Sequence, residues 1–153
     1  MDSSIHSFKF KIRCEAEAIP ELLEKVFSKL TKYENEVENI NFRIEIAARE
    51  MLANAIEHGC VQAVNNGLKL EEGYIMVILK ISNYNIIFSV KDCGNGFDWE
   101  NYDLDTMPSL EERGRGLKMI NNVADKVEFN QKGNEITIFF YGDENNVKKM
   151  EGR

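Results

Sequence analysis

The sequence is poor in several features that would each have fixed its class. Its three cysteines, Cys14, Cys60 and Cys93, form no Cys-x-x-Cys pair and have no histidine pattern nearby. Neither a zinc-ligand set nor a disulfide framework is indicated, so all three are expected as reduced thiols. No apolar run approaches the roughly 20 residues needed to span a bilayer, so no membrane segment is expected. The opening MDSSIHSFKFKIR lacks the apolar stretch of a secretory signal, and a cytoplasmic location follows. Positive charge is also in deficit. With 19 Lys and Arg against 26 Asp and Glu the net charge is −7, which opposes direct binding to a nucleic-acid backbone. Internal repeats and low-complexity segments are absent.

What is present fits one ordinary folded domain spanning residues 1–153, with its core over about residues 8–141. The 43% hydrophobic and 29% charged fractions are those of a soluble globular protein, and the length suffices to bury a single core. Phe8, Phe10, Ile12 and Cys14 alternate with Lys9, Lys11, Arg13 and Glu15, the period-two pattern of a strand with one buried face. Ile19-Pro20-Glu21 suits a helix entry, and Leu22, Leu23, Val26, Phe27 and Leu30 form the buried stripe behind it. Tyr74–Ser82 and Ile86–Asp92 are β-rich runs about an Asn83-Tyr84-Asn85 turn. Val127–Asn130 and Glu135–Tyr141 form a second such pair. Residues 97–113 are polar and aperiodic and are expected to form a loop over the site, with a short helix beginning at Gly116. The last residues, GDENNVKKMEGR, look frayed.

One stretch organises the rest. In Asn41–Gly59, NFRIEIAAREMLANAIEHG, the residues Ile44, Ala47, Ala48, Met51, Leu52, Ala55 and Ile56 recur at helical steps. Asn41 can cap the start, and Gly59 can end the helix with a left-handed backbone. Whether the helix continues beyond Gly59 is left open by the sequence. Glu50, Asn54 and His58, each four residues after the last, then stand in a row on one flank. Such a row is most often a solvated helix face, and it acquires meaning only from its company. Asp92-Cys93-Gly94-Asn95-Gly96 follows an apolar strand, and Gly114-Arg115-Gly116-Leu117 precedes a helical pattern.

Together these three stretches resemble, in order, the N box, G1 box and G2 box of the Bergerat-fold (GHKL) ATPases and kinases. NAIEHG and GRGLKMINNVADKVEF are similar to the wording of the bacterial anti-sigma factor serine/threonine kinases of the RsbW and SpoIIAB type. The resemblance implies an α+β fold: a two-layer sandwich with a mixed, mostly antiparallel sheet, helices on one face, and ATP with Mg2+ as cofactors. It assigns Asp92 to the exocyclic amine of adenine, Asn54 to the magnesium ion, and Glu50 to the general base that takes a proton from an attacking serine hydroxyl or from water. Gly94 and Gly96 would let the backbone lie close to base and ribose. Gly114, Arg115, Gly116 and Leu117 would open a helix whose free N–H groups meet phosphate. Each glycine pair could equally make an ordinary turn, and Asp92 a turn aspartate. His58 is read as structural support, and Thr137 as structural. The family usually carries Gly-Thr where this chain has Gly133-Asn134. Asn134 can donate and accept, so it is kept among the nucleotide-contacting residues.

The function implied is a protein-serine kinase that sequesters a sigma factor and phosphorylates a STAS-type anti-anti-sigma protein, acting as a homodimer. His6 and His58 sit on no dimerisation-helix pattern, which favours this over a sensor histidine kinase. The alternative is an ATP-binding partner-switch module without significant kinase activity. An ATP-hydrolysing machine of the gyrase or chaperone kind would need transducer domains beyond this length.

Overall fold

The computed structural model describes residues 4–33, 35–96 and 112–142, with only the backbone of residues 112–115. The alternating first strand, β1 (His6–Arg13), lies at one edge of a five-stranded sheet. β2 (Tyr74–Ile81) and β3 (Asn85–Lys91) follow as a hairpin, and β4 (Lys126–Phe129) and β5 (Glu135–Tyr141) form another. Spatial order is β1-β2-β3-β5-β4, and each of the four pairings is antiparallel. The sheet is thus antiparallel throughout the described residues, rather than mixed.

The register explains the core. Phe8 stands opposite Leu79, Leu79 opposite Phe88, and Phe88 opposite Ile138, so one row of large side chains crosses the sheet on a single face. Ile75, Val77, Leu79, Ile86, Phe88, Val90, Ile138 and Phe140 are buried there beneath the helices. Burial of this kind contributes about 1.5–3 kcal/mol per large apolar side chain. The opposite face carries Lys9, Lys11, Lys80 and Lys91 around Ile78 and Ile87. Ser89 and Thr137 meet there through their hydroxyls at 2.8 Å, so Thr137 has a structural partner.

Among the described residues, three helical units cover the apolar face. In α1 (Ile19–Lys32), Pro20 sits in the first turn and Leu22, Leu23, Val26 and Leu30 are buried. α2 (Ile40–Asn54) buries Ile44, Ala47, Ala48, Met51 and Leu52, its alanines letting the backbone approach the sheet. Asn39, at φ 55°, precedes it and accepts the Arg43 N–H through its carbonyl at 3.0 Å. Asn41, expected as the cap, is already inside the helix. Asparagine tolerates the left-handed backbone that this entry demands.

Gly59 does not end the helix. A π-helical segment, Ala55–Cys60, carries it onward into α3 (Val61–Asn65), and the chain turns at Gly67, φ 108°. α4 (Glu112–Val123) packs on α2 and begins four residues earlier than the Gly116 expected from sequence. Arg43 locks the two helices together. Its Nε donates to the Val123 carbonyl at 2.8 Å, and its guanidinium pairs with Asp125 at 3.1 Å. Asp125 in turn accepts the Tyr141 N–H at 2.7 Å.

Cys14 and Cys60 are joined as a disulfide, with Cα atoms 6.1 Å apart. The expectation of three reduced thiols fails here, because the fold brings the end of β1 beside the π-helical segment across a separation of 46 residues.

Candidate nucleotide site

A cleft opens where α2 and α4 leave the sheet near the ends of β3 and β5. Its walls include Met51, Ala55, Val90, Leu117, Phe129 and Ile136, and its polar groups come from Asn54, Asp92, Asn134 and Glu135. The enclosed part of the cleft is small, about 30 Å³, and it opens to solvent at its mouth. Apolar walls with a few converging polar groups suit a flat heterocycle that must be oriented as well as buried.

Asp92 lies just past β3, and its N–H still donates to the Asn134 carbonyl at 2.9 Å. One carboxylate oxygen, Oδ1, accepts the Gly94 N–H at 2.7 Å, closing a local turn. The carboxyl group rests on the bare Cα of Gly59: a Cβ there would overlap the Asp92 side chain. Gly59 therefore serves close packing, and its expected role as a left-handed helix stop is replaced by this contact. The π-helical segment shifts the turns that follow Asn54. The row of Glu50, Asn54 and His58 is broken accordingly. Asn54 lines the cleft, while His58 lines an adjoining groove with Glu57, Gln62 and Asn66, and the two hollows share Asp92 and Gly133.

Glu50 and Asn54 meet α4 at Gly116. A Cβ on Gly116 would stand 2.8 Å from Glu50 Oε2, 3.5 Å from Asn54 Nδ2 and 3.7 Å from Asn54 Oδ1. The glycine leaves a cradle at the carboxylate and carboxamide that any side chain would fill. Gly116 lies inside α4, so its own N–H is not one of the open groups of a helix start; the helix begins at Glu112. Gly114 and Arg115 fall in the first turn, and the side chains of Arg113 and Arg115 lie outside the described residues. Leu117 is buried and forms part of the cleft wall.

The two loop glycines are used by the protein itself. Gly96 has φ 88°, and its bare side faces the Lys132 carbonyl, where a Cβ would collide with backbone. Gly94 faces the Gly59 carbonyl and Gln62 Oε1, at 2.8 and 2.7 Å from an added Cβ. Sequence reasoning missed Gln62. Its Oε1 accepts the Asn95 N–H at 2.5 Å and its Nε2 donates to the Gly96 carbonyl at 3.4 Å. It lies just past Gly59, where the sequence leaves open whether the helix continues, and only its place one helical turn past His58 could have signalled it.

Asn134 is buried. Its Nδ2 donates to the carbonyls of Asp92 and Gly94 at 3.3 and 3.4 Å, and its Oδ1 accepts from Asn130 Nδ2 at 2.7 Å. It thus grips the backbone of the loop rather than the Asp92 carboxylate. Asn130 Oδ1 also accepts the N–H groups of Gly133, Asn134 and Glu135 at 2.8, 3.0 and 3.1 Å, so one amide organises the β4–β5 turn.

This arrangement coincides with a similarity at the level of sequence. A family model described as "Histidine kinase-like ATPase domain" matches residues 12–140. The chain belongs to the histidine kinase-like ATPase domain family. That match contains every element from the end of β1 to β5, and with them the cleft. Comparison with curated proteins finds no match to the chain.

ATP binding is the property that membership of the histidine kinase-like ATPase domain family supports. The cleft residues fit such a ligand: apolar walls for a base, the Asp92 carboxylate in its lining, and oxygen-bearing Glu50 and Asn54 beside the cradle left by Gly116. Magnesium favours oxygen donors and takes few of them from protein, which the carboxamide of Asn54 can satisfy. Among the described residues no helix is long and apolar enough to cross a membrane.

Proposed function

We propose that this histidine kinase-like ATPase domain is an ATP-dependent protein-serine/threonine kinase of the anti-sigma type. Its substrate would be a STAS-type anti-anti-sigma protein, and its second partner a sigma factor held by a homodimer of this chain. The observation that carries the catalytic part is the position of Glu50 beside Asn54, both facing bare Gly116. A carboxylate one turn from a carboxamide, next to a cradle, can supply a base for an attacking hydroxyl and an oxygen ligand for the metal that accompanies the phosphates.

In this reading Asp92 receives the exocyclic amine of adenine, which selects adenine over guanine. Met51, Leu117 and Ile136 enclose the base, and Asn134 holds the Asp92–Gly94 backbone in place. Asn54 would hold the magnesium ion, whose charge offsets that of the phosphates. Glu50 accepts the proton of the attacking serine hydroxyl. The serine oxygen bonds to the γ-phosphorus as the bond to the bridging oxygen of ADP breaks. Choice of a STAS protein and a sigma factor as partners rests on the wording of residues 54–59 and 114–129, which resembles the RsbW and SpoIIAB type.

The test is incubation with labelled ATP-Mg2+ and a STAS-domain protein. Label on the STAS protein that disappears in Glu50→Ala supports the kinase. Tight nucleotide binding with no transferred label supports the alternative, a partner-switch module whose ATP serves binding alone.

A further inference from the structure

Beyond the cleft, the described residues bring three sulfur atoms together. Cys14 follows β1, Cys60 ends the π-helical segment, and Cys93 stands between Asp92 and Gly94. Their three sulfur atoms all lie within 4.8 Å of one another. Cys14 and Cys60 are bonded, and Cys93 is free and half-buried. Gly73 backs the cluster: an added Cβ would be 3.1 Å from Cys14 Sγ and 3.5 Å from Cys93 Sγ. A thiol so close to a disulfide, approaching it across a residue with no side chain, has a path to exchange.

We propose that the three cysteines form a redox-modification site at which Cys93 exchanges with the Cys14–Cys60 disulfide, and that its reagents are small thiols and their disulfides. The Cys93 thiolate attacks Sγ of Cys14. The Cys14–Cys60 bond breaks as the Cys93–Cys14 bond forms, and Cys60 leaves as a thiolate that takes up the proton Cys93 released. No oxidant is consumed in that step. An excess of small thiol reduces the cluster to three thiols, the small thiol becoming its own disulfide; the small disulfide reverses this and is reduced to two thiols.

The consequence reaches the cleft through the chain on either side of Cys93. The backbone carbonyls of Asp92 and Gly94 are held by Asn134, and the Asp92 carboxyl rests on Gly59, next to Cys60. Linking Cys93 to Cys14 draws the Asp92–Gly94 loop toward β1 and frees Cys60, so Asp92 leaves its seat. This readout rests on the nucleotide role proposed for Asp92, whereas the exchange itself does not.

The experiment uses the whole chain, equilibrated in glutathione buffers of graded ratio, acid-quenched and alkylated. Disulfide-linked peptides are mapped by mass spectrometry, and ATP affinity is measured on the same samples. Cys60→Ser leaves Cys14 and Cys93 to pair on oxidation, and Cys93→Ser leaves the Cys14–Cys60 pair. We expect Cys93–Cys14 peptides in the wild type and in oxidised Cys60→Ser, with ATP bound roughly tenfold more weakly than by reduced Cys60→Ser. Oxidised and reduced Cys93→Ser should agree within about twofold. Absence of any Cys93 linkage at every ratio overturns the proposal, as does a linkage that leaves ATP affinity unchanged. A tightly held zinc ion that shields all three reduced thiols from alkylation also overturns it, making the cluster a metal site. A reduced chain that binds no ATP refutes the nucleotide reading alone, and the linked peptides then decide the exchange.

Discussion

The Cα of Gly59 lies against the carboxyl group of Asp92, so close that a Cβ on the glycine would overlap it. These residues come from the π-helical segment and from the turn just past β3, and their contact fixes where a carboxylate stands in the lining of the cleft.

Gly59→Ala is therefore expected to push Asp92 out of position. Overpacking of this kind costs about 1–3 kcal/mol, so the variant should still fold with a lowered melting temperature. ATP affinity should fall at least tenfold, roughly 1.4 kcal/mol or more. Calorimetric titration alongside circular dichroism checks both; wild-type affinity in a folded Gly59→Ala would show that Asp92 is not the group that reads the base.

Gly116→Ala separates binding from chemistry. The added methyl meets Glu50 Oε2, the end of a flexible side chain that can swing away. Alanine in a helix interior is favoured over glycine by about 1 kcal/mol, so stability should hold or rise. Phosphoryl transfer should drop by roughly tenfold or more, with a smaller effect on ATP affinity. A transfer assay under saturating ATP reads this directly, and undiminished transfer would remove Glu50 from the role of base.

Asn134→Ala leaves the Asp92 and Gly94 carbonyls without their side-chain donor. Loss of a buried hydrogen-bonding partner costs about 1–3 kcal/mol, which urea denaturation measures. Nucleotide affinity should weaken because the loop that carries Asp92 is no longer pinned. A variant as stable as wild type would mean that the backbone of the loop is held by the β3–β5 ladder alone.

The Cys14–Cys60 bond closes a loop long enough to restrict the unfolded chain. Under non-reducing conditions, with Cys93→Ser as the parent so that no substitute pair can form, adding Cys14→Ser should lower stability by about 2–4 kcal/mol. Equal unfolding midpoints for Cys93→Ser and the double variant would indicate that the bond is not formed in solution.

Much of the fold was legible because its signals are local. Period-two alternation gave β1, the Asn83-Tyr84-Asn85 turn gave the β2–β3 hairpin, and the stripe from Leu22 to Leu30 gave α1. The order of the three motifs pointed to Asn54 and Asp92 sharing one site, and both line the cleft together with Asn134, while Glu50 meets Asn54 at Gly116. What failed depends on distance or on irregular backbone. A four-residue row assumes 3.6 residues per turn, and the π-helical segment after Asn54 breaks that assumption for His58. Gly-Arg-Gly has poor helix propensity, so the start of α4 at Glu112 was hidden; packing on α2 and the Arg43 clamp hold the helix together instead. Cys14 and Cys60 become neighbours only once β1 is paired, which no spacing along the chain reveals. Gln62 acts on a loop more than thirty residues away, beyond the reach of any local pattern.

The most direct measurement is isothermal titration of ATP-Mg2+ and GTP-Mg2+ into wild type, Asn54→Ala and Asp92→Asn. The account predicts that wild type binds ATP in preference to GTP and that each variant loses ATP binding nearly completely while remaining folded. Equal ATP affinity in all three proteins would contradict it.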